Sequence, residues 1–472
     1  MVVRNGLWIA LVCAGACGGG DDDGGAADAS ALPAWRMDLA PSSEMGERRG
    51  LEPARGIIHL HSPYSHDACD GQPRIDETGP IDEDCLADLR AGLCTTRMDF
   101  AALSDHDATM ADEAFEDLLL VRDDDQLVMV DDQPIASRMA CDGGGQVLVT
   151  VGSENPIMPI MLDRHVTGTV EERHAIYNGD DPASVAAFRD AGATVWIPHT
   201  EQRTADALVP LAPDGIEVYQ LHANIDPDIR EEYLGLDRSG AITAAIEFAD
   251  LADDGPVPDL ALLSFLSENG PSLAVWDQLL AGGAHVAGSG GTDAHQNALP
   301  IMLRDGERGD SYRRVMRWFS NVVLVSDRTD LEQIEEALRA GRMFVAFELM
   351  GTPVGFDARA ELPGGDAVEL GGTVPSAAGA TLEVAVPSVL DLDAALPAPS
   401  ISARVLFIAP GGEAEVVAEG AGPLSVPLDA AGAYRVEVHI VPHHLGPYLG
   451  SFGPEYAAQT LPWIYASPIY VE

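Results

Sequence analysis

From Gly56 to His295 the chain repeats one pattern, a short apolar run followed by histidine, aspartate or glutamate. Gly56-Ile57-Ile58-His59-Leu60-His61-Ser62 predicts a buried strand, and alternate side chains of a strand face the same side, so His59 and His61 converge on one point. A lone histidine on an apolar strand is ordinarily a hydrogen-bonded core residue, but two facing the same way need two buried partners. Met98 to Leu103 predicts a second strand, leading to Ser104-Asp105-His106-Asp107. Val147 to Val151 predicts a third, ending at Gly152-Ser153-Glu154 with His165 downstream. A helix-like stretch from Pro182 to Ala191 precedes strand Thr194 to Pro198 and His199. Gly215 to Tyr219 is followed by His222 and Asn224, and His285 to Ser289 leads to Thr292-Asp293-Ala294-His295. Strands alternating with helices build a parallel sheet or barrel whose chemistry gathers at the C-terminal strand ends.

Farther along, Leu331 to Gly341 has apolar positions at helical spacing and a glycine stop, and Met343 to Phe347 predicts a last strand. From about Gly351 the pattern changes to short alternating strands, such as Thr381 to Val386, Ala403 to Ile408 and Tyr434 to Val438, between Gly- and Pro-rich turns. That pattern predicts a small β-sandwich. At the other end, Arg4 precedes the apolar run Leu7 to Val12, too short for the roughly 20 residues of a membrane span, so it predicts a secretion signal. Ala14-Gly15-Ala16-Cys17 resembles the lipobox of bacterial lipoproteins, which implies lipidation of Cys17 and a lipid-anchored place in the bacterial cell envelope, periplasmic or on the outer surface. The Gly- and Asp-rich sequence after it predicts a flexible tether. The expected divisions are signal 1–17, tether 18–53, a catalytic α/β domain 54–350 and a sandwich 351–472.

Composition narrows the function. The 472 residues are 46% apolar and 22% charged, which excludes a disordered or collagenous chain. The 27 basic residues, all arginine, face 76 acidic ones for a formal charge of −49, which argues against nucleic acid as a partner. The acidity reads as solubility or adaptation to salt. Of six cysteines, Cys13 leaves with the signal and Cys17 takes lipid, leaving Cys69, Cys85, Cys94 and Cys141 for two disulfides in an oxidising compartment. Three pairings are open, with Cys85–Cys94 and Cys69–Cys141 preferred. No Gly-x-Ser-x-Gly elbow, Walker-type loop or His-Glu-x-x-His pair is present. Gly143-Gly144-Gly145 and Gly288-Ser289-Gly290-Gly291 read as turns, and His443-His444 as a surface loop.

The ordered set resembles the polymerase and histidinol phosphatase (PHP) family between Arg55 and Phe347. His59-Leu60-His61-Ser62-Pro63-Tyr64-Ser65 is similar to its first motif and Ser104-Asp105-His106 to its second, with Gly152-Ser153-Glu154, His199 and Asp293-Ala294-His295 following in order. The resemblance implies a distorted TIM-like barrel holding two or three divalent ions of zinc, manganese or iron. It implies one ion on His59, His61, Glu154 and Asp293, and a second on Glu154, His165 and His199. A third would take His106, His295 and either His66 or Asp67, since the family's aspartate position is occupied here by His66. Pro198-His199-Thr200-Glu201 replaces the family's frequent Ala-His-Pro. Glu217, His222 and Asn224 are candidates for lining the substrate. The implied reaction is hydrolysis of a small phosphorylated substrate by a metal-bridged hydroxide. Alternatives are another metal-dependent amide or ester hydrolase on the same barrel, or a catalytically silent surface-binding protein.

Overall fold

The computed structural model describes residues 32–71, 79–249 and 251–472. The chain divides into Met1–Ala34 and Trp35–Glu472, and the second unit carries the architecture below. The signal and Cys17 lie outside the described residues. The tether expected over 18–53 is, from Trp35 onward, part of the packed body: the Trp35 indole donates to Asp259 at 2.8 Å and Met45 is fully buried. Among the described residues no helix is long and apolar enough to cross a membrane.

The parallel strands are buried on both faces, the usual state of a parallel sheet, even where they carry Arg55, Glu217 or Gln220. Strand Glu52–Ile57 pairs in parallel with Phe100–Ala102, which pairs in parallel with Gln146–Thr150. A separate sheet runs Met158–Ile160, Thr194–Ile197, Gly215–Gln220, Ala287–Gly291, the last three parallel. Single bridges, Val151 with Leu162 and Leu60 with Ala294, link the two sheets at both sides. The closed barrel implied by the family resemblance is thus not formed by continuous strand pairing, since the two sheets meet only through these single bridges. Regular pairing is given up at Gly152–Glu154 and Ile58–His61, the segments that turn their side chains toward one point.

The expected C-terminal sandwich also differs. Strand Leu461–Val471 pairs antiparallel with Met343–Ala346, so Gly432–Val441, Ser400–Ile408 and Ala414–Gly420 extend the first sheet to twelve strands. Separate from it in this region are a sheet of the four short strands Ala367–Val368, Asp357–Glu361, Thr381–Ala385 and Leu424–Pro427, and a two-stranded one of Pro353–Val354 with Ser388–Val389. The boundary expected at residue 350 is thus crossed by backbone hydrogen bonds. His444, read as part of a surface loop, is buried, with Nε2 3.0 Å from the Met350 carbonyl. Gly288 to Gly291 lie in a strand paired with Gly215–Gln220 instead of a turn, and the glycines make room for large neighbours: a Cβ at Gly290 would stand 2.9 Å from the Phe319 ring.

The disulfides are Cys69–Cys85 and Cys94–Cys141, each with Cα atoms 5.7 Å apart. This corrects the preferred pairing. Cys85 and Cys94 share the helix Glu83–Thr95, and nine residues of helix separate them by about 13 Å, beyond the roughly 7 Å a disulfide spans. The helix is signalled by Asp82, whose carboxylate caps the backbone N–H groups of Asp84 and Cys85 at 3.0 Å, and by Leu86, Leu89 and Leu93 on its buried face. The two bridges tie its ends to the segment after Asp67 and to the turn after Ala140.

Candidate metal centre

Most of the side chains that converge here sit past a strand's C-terminal end. His59 and His61 follow Glu52–Ile57, held extended by the His61 N–H donating to Ala294 O at 3.0 Å and by the Thr292 hydroxyl donating to His59 O at 2.6 Å. His106 follows Phe100–Ala102, and Glu154 follows Gln146–Thr150 with its N–H on Ser104 O at 2.9 Å. His199 follows Thr194–Ile197, while His222 lies in the short helix Leu221–Ile225 after Gly215–Gln220. Asp293 and His295 follow Ala287–Gly291. His199 and Asp293 both adopt left-handed backbone, φ 50° and 46°. Such conformations cost about 1–2 kcal/mol outside glycine and tend to gather at functional sites.

Four buried side chains meet at the centre. Glu154 Oε2 lies 3.1 Å from His59 Nε2 and 3.3 Å from His61 Nε2. Asp293 Oδ1 lies 3.5 and 3.1 Å from the same two nitrogens. These donor atoms are all within 4.8 Å of one another, and both Nε2 atoms are buried without a hydrogen bond of proper geometry. The other ring nitrogens face acceptors: His59 Nδ1 is 2.6 Å from Glu217 Oε1, His61 Nδ1 is 3.0 Å from Ser65 Oγ, and His106 Nδ1 is 2.7 Å from Glu154 O. With Nδ1 donating in each ring, the Nε2 lone pairs point inward at carboxylates. That arrangement is repulsive unless a proton or a metal cation stands between them.

The remaining oxygens face a second group. Glu154 Oε1 is 2.7 Å from His199 Nε2, and Asp293 Oδ2 is 3.0 Å from His222 Nδ1. His199, His222 and Asp293 form a second cluster of metal-compatible donors. A third comprises His61, Asp67 and His106, with Asp67 Oδ2 3.1 Å from His106 Nε2. His295 Nε2 is 3.5 Å from Asp293 Oδ1, and its Nδ1 is buried without a partner.

Burial alone would raise the carboxyls and lower the imidazoles, yet the clustering overrides it. His59 and His199 hold Glu154 well below the usual carboxylate range, and His59 and His222 do the same for Asp293. The carboxylates in turn raise His59, His61 and His199 well above the ordinary imidazole value. Among the described residues no arginine pairs with Glu154, Asp293 or Asp67. Elsewhere buried acids do pair with arginine, as in Arg55–Glu348 and Arg313–Asp259. Two further acidic clusters, Glu268 and Glu437 with His439 and Asp259 and Asp305 with Glu307, are satisfied that way, by Arg404 and Arg435 at Glu437 and by Arg313 and Arg314 at Asp259.

Several expected residues stand elsewhere. His165, read as a ligand beside His199, instead has Nδ1 3.1 Å from the Tyr177 hydroxyl and Nε2 3.1 Å from Glu113 O. Both its nitrogens are engaged, and His222 occupies the place beside His199. Asn224, read as lining the substrate, is buried and accepts from Ser267 N at 2.9 Å. Glu217 is also buried, turned toward His59 and His199. Of the two candidates after Ser65, Asp67 reaches His61 and His106, while His66 is exposed with its ring 4.7 Å from that of His106.

Burial pushes His165 and His444 down to about 4. An unfolded histidine titrates near 6.5, so between about pH 6.5 and 4 the unfolded chain binds more protons and stability falls as pH drops. Each residue contributes on the order of 1–3 kcal/mol to that loss. Urea midpoints at several pH values, for wild type and His444→Leu, check it: the variant's acid slope should be shallower.

No family model matches the sequence, and no curated protein sequence matches it. Among solved structures the chain is similar to a two-domain protein from Bacteroides vulgatus containing a predicted PHP-like metal-dependent phosphoesterase. Identity is 10%, the alignment covers 92% of this chain and 99% of that one, and the TM-score is 0.32. A likeness at that level says nothing about the reaction.

Proposed function

We propose that the protein is a metal-dependent phosphoesterase. One observation carries the reading: two fully buried imidazole nitrogens, His59 Nε2 and His61 Nε2, without hydrogen bonds and facing Glu154 and Asp293. The donor set fits a transition-metal cation, mixed imidazole and carboxylate suiting zinc, manganese or iron. His59, His61, Glu154 and Asp293 would hold one ion. His199 and His222 would hold a second with the outer oxygens of the same two carboxylates, and Asp67 and His106 a third beside His295. Bound divalent ions supply Lewis acidity, acidifying water and neutralising the oxygens of a phosphoryl group.

The chain's residues set how substrate meets that centre. His59 and His61 form a closed floor, whereas the His222 side chain is 42% exposed and His106, His199 and Asp67 are partly so. Substrate therefore approaches over the His106, His199 and His222 edges, and the buried floor excludes water from behind. At a net charge of −49 the chain repels anions at long range, but screening beyond roughly 8 Å leaves the centre's own charge to decide. Assay of the metal-loaded full chain against phosphomonoesters, phosphodiesters and amides tests the reading. Phosphate-ester hydrolysis supports it, turnover of amides alone favours another hydrolase, and inertness at full metal occupancy favours a binding protein.

Export and lipid anchoring at the bacterial envelope belong to the same proposal, supported by the Arg4 to Cys17 sequence and by paired cysteines, which suit an oxidising compartment. Cys17→Ser is expected to move the protein from the membrane to the soluble fraction. Unchanged fractionation would mean Cys17 is not the anchor.

A further inference from the structure

Glu217 lies within strand Gly215–Gln220 and is 1% exposed, so it does not reach the edge over which a substrate arrives. Both of its carboxylate oxygens are in use. Oε1 is 2.6 Å from His59 Nδ1, and Oε2 accepts the His199 backbone N–H at 3.0 Å. The Glu217 main-chain carbonyl accepts the hydroxyl of Thr200, the residue after His199. Space for the carboxylate exists only because position 291 is glycine: a Cβ there would stand 2.1 Å from Oε1. One carboxylate thus touches the ring of His59, in the first donor group, and the backbone of His199, in the second, at the residue held in left-handed conformation.

We propose that Glu217 is a positioning residue shared by two metal sites, fixing His59 with its proton on Nδ1 and pinning the His199 backbone, and not a substrate contact. The inference rests on the metal-centre reading. A neutral imidazole donates from one nitrogen and accepts at the other, and a carboxylate only accepts. Glu217 therefore places the His59 proton on Nδ1 and leaves Nε2 with the lone pair a cation needs. Outer partners of this kind typically change metal affinity by about 10–100-fold when lost.

The two-donor geometry makes glutamine a sharp probe. Both partners of Glu217 are N–H donors, and an amide has one accepting end and one donating end. With its oxygen toward His199, the amide NH₂ faces His59 Nδ1 and demands the opposite tautomer, which places a proton on Nε2. Reversed, the His199 N–H loses its acceptor. A residue that merely filled space would tolerate this near-isosteric change, and a substrate contact would show it in KM with metal content intact.

The test compares the full chain as wild type, Glu217→Gln and Glu217→Asp, each reconstituted with zinc and separately with manganese. Metal content, metal affinity and histidine ¹⁵N–¹H spectra of the zinc-loaded protein are measured. Wild type should show a slowly exchanging His59 Nδ1–H. Glu217→Gln, checked for native near-ultraviolet dichroism, should bind metal about 10–100-fold more weakly and lose that signal. Glu217→Asp, which keeps the charge but is one methylene shorter, should retain one of the two contacts and fall between. Wild-type stoichiometry and affinity in Glu217→Gln, with the Nδ1–H signal retained, would overturn the inference. Should the glutamine variant fail to fold, a zinc-loaded wild type whose His59 carries no Nδ1–H would overturn it equally. A wild type that takes up no metal refutes the metal-centre reading instead.

Discussion

Asp293→Asn is expected to remove at least one metal ion per chain and to lower the proposed phosphoesterase turnover by more than about a hundredfold. Asp293 supplies Oδ1 to the pair His59 and His61 and Oδ2 to His222, so a single change reaches two donor groups. Loss of an outer partner already costs about 10–100-fold, and loss of a carboxylate that faces the cation directly exceeds that. Asparagine is the right probe because position 293 has φ 46°, a conformation asparagine adopts more readily than alanine. Its amide nitrogen would also point a donor where a cation needs an acceptor. Glu154→Gln is expected to behave alike, since Glu154 touches His59, His61, His106 and His199. Elemental analysis and turnover on the same preparation check both variants. Unchanged metal content in the two would remove these carboxylates from the centre.

Glu348→Ala is expected to destabilise the fold by about 3–5 kcal/mol without changing which residues face the centre. Arg55 and Glu348 are both fully buried, and Arg55 Nε and Nη2 each donate to the carboxylate at 2.7 Å. Ser320 and Thr352 donate to the same carboxylate at 2.7 and 2.8 Å, so its loss strands four donor groups, two of them on one buried positive charge. The strand carrying Arg55 is the one that delivers His59 and His61. Replacing both partners with apolar residues, Arg55→Met with Glu348→Leu, should recover most of the loss, because the uncompensated charge disappears. Urea unfolding of the three proteins decides the matter, and a loss under about 1 kcal/mol for Glu348→Ala would contradict it.

The sequence showed the side chains at strand ends better than it showed the sheets that carry them. His59, His61, His106, Glu154, His199 and Asp293 announce themselves because a polar group directly after an apolar run is a local signal. His222 was visible too, but its role was not. It lies on a helix one turn past its strand, and its pairing with Asp293 is a contact across the fold. His165 carried the same local signal as a ligand and turned out to serve Tyr177 and Glu113. Nothing local marks strand Leu461–Val471: it is buried along its whole length, so no alternation shows, and Pro462 and Pro468 argue against a central strand. They are accommodated where the pairing with Gly432–Val441 slips register. The continuity of the first sheet past residue 350 depended on that one strand. The disulfide pairing depended on recognising Glu83–Thr95 as a helix, since only then do Cys85 and Cys94 fall too far apart to bond.

The measurement that bears most directly on the metal centre is the metal content of the full chain, purified without chelators and then reconstituted with zinc, manganese and iron in turn. The three donor groups around Glu154 and Asp293, completed by His59 and His61, by His199 and His222 and by Asp67 and His106, predict about two to three ions per chain in the wild type, and at least one fewer in Asp293→Asn. A folded wild-type protein that retains no ion under any of the three conditions would contradict it.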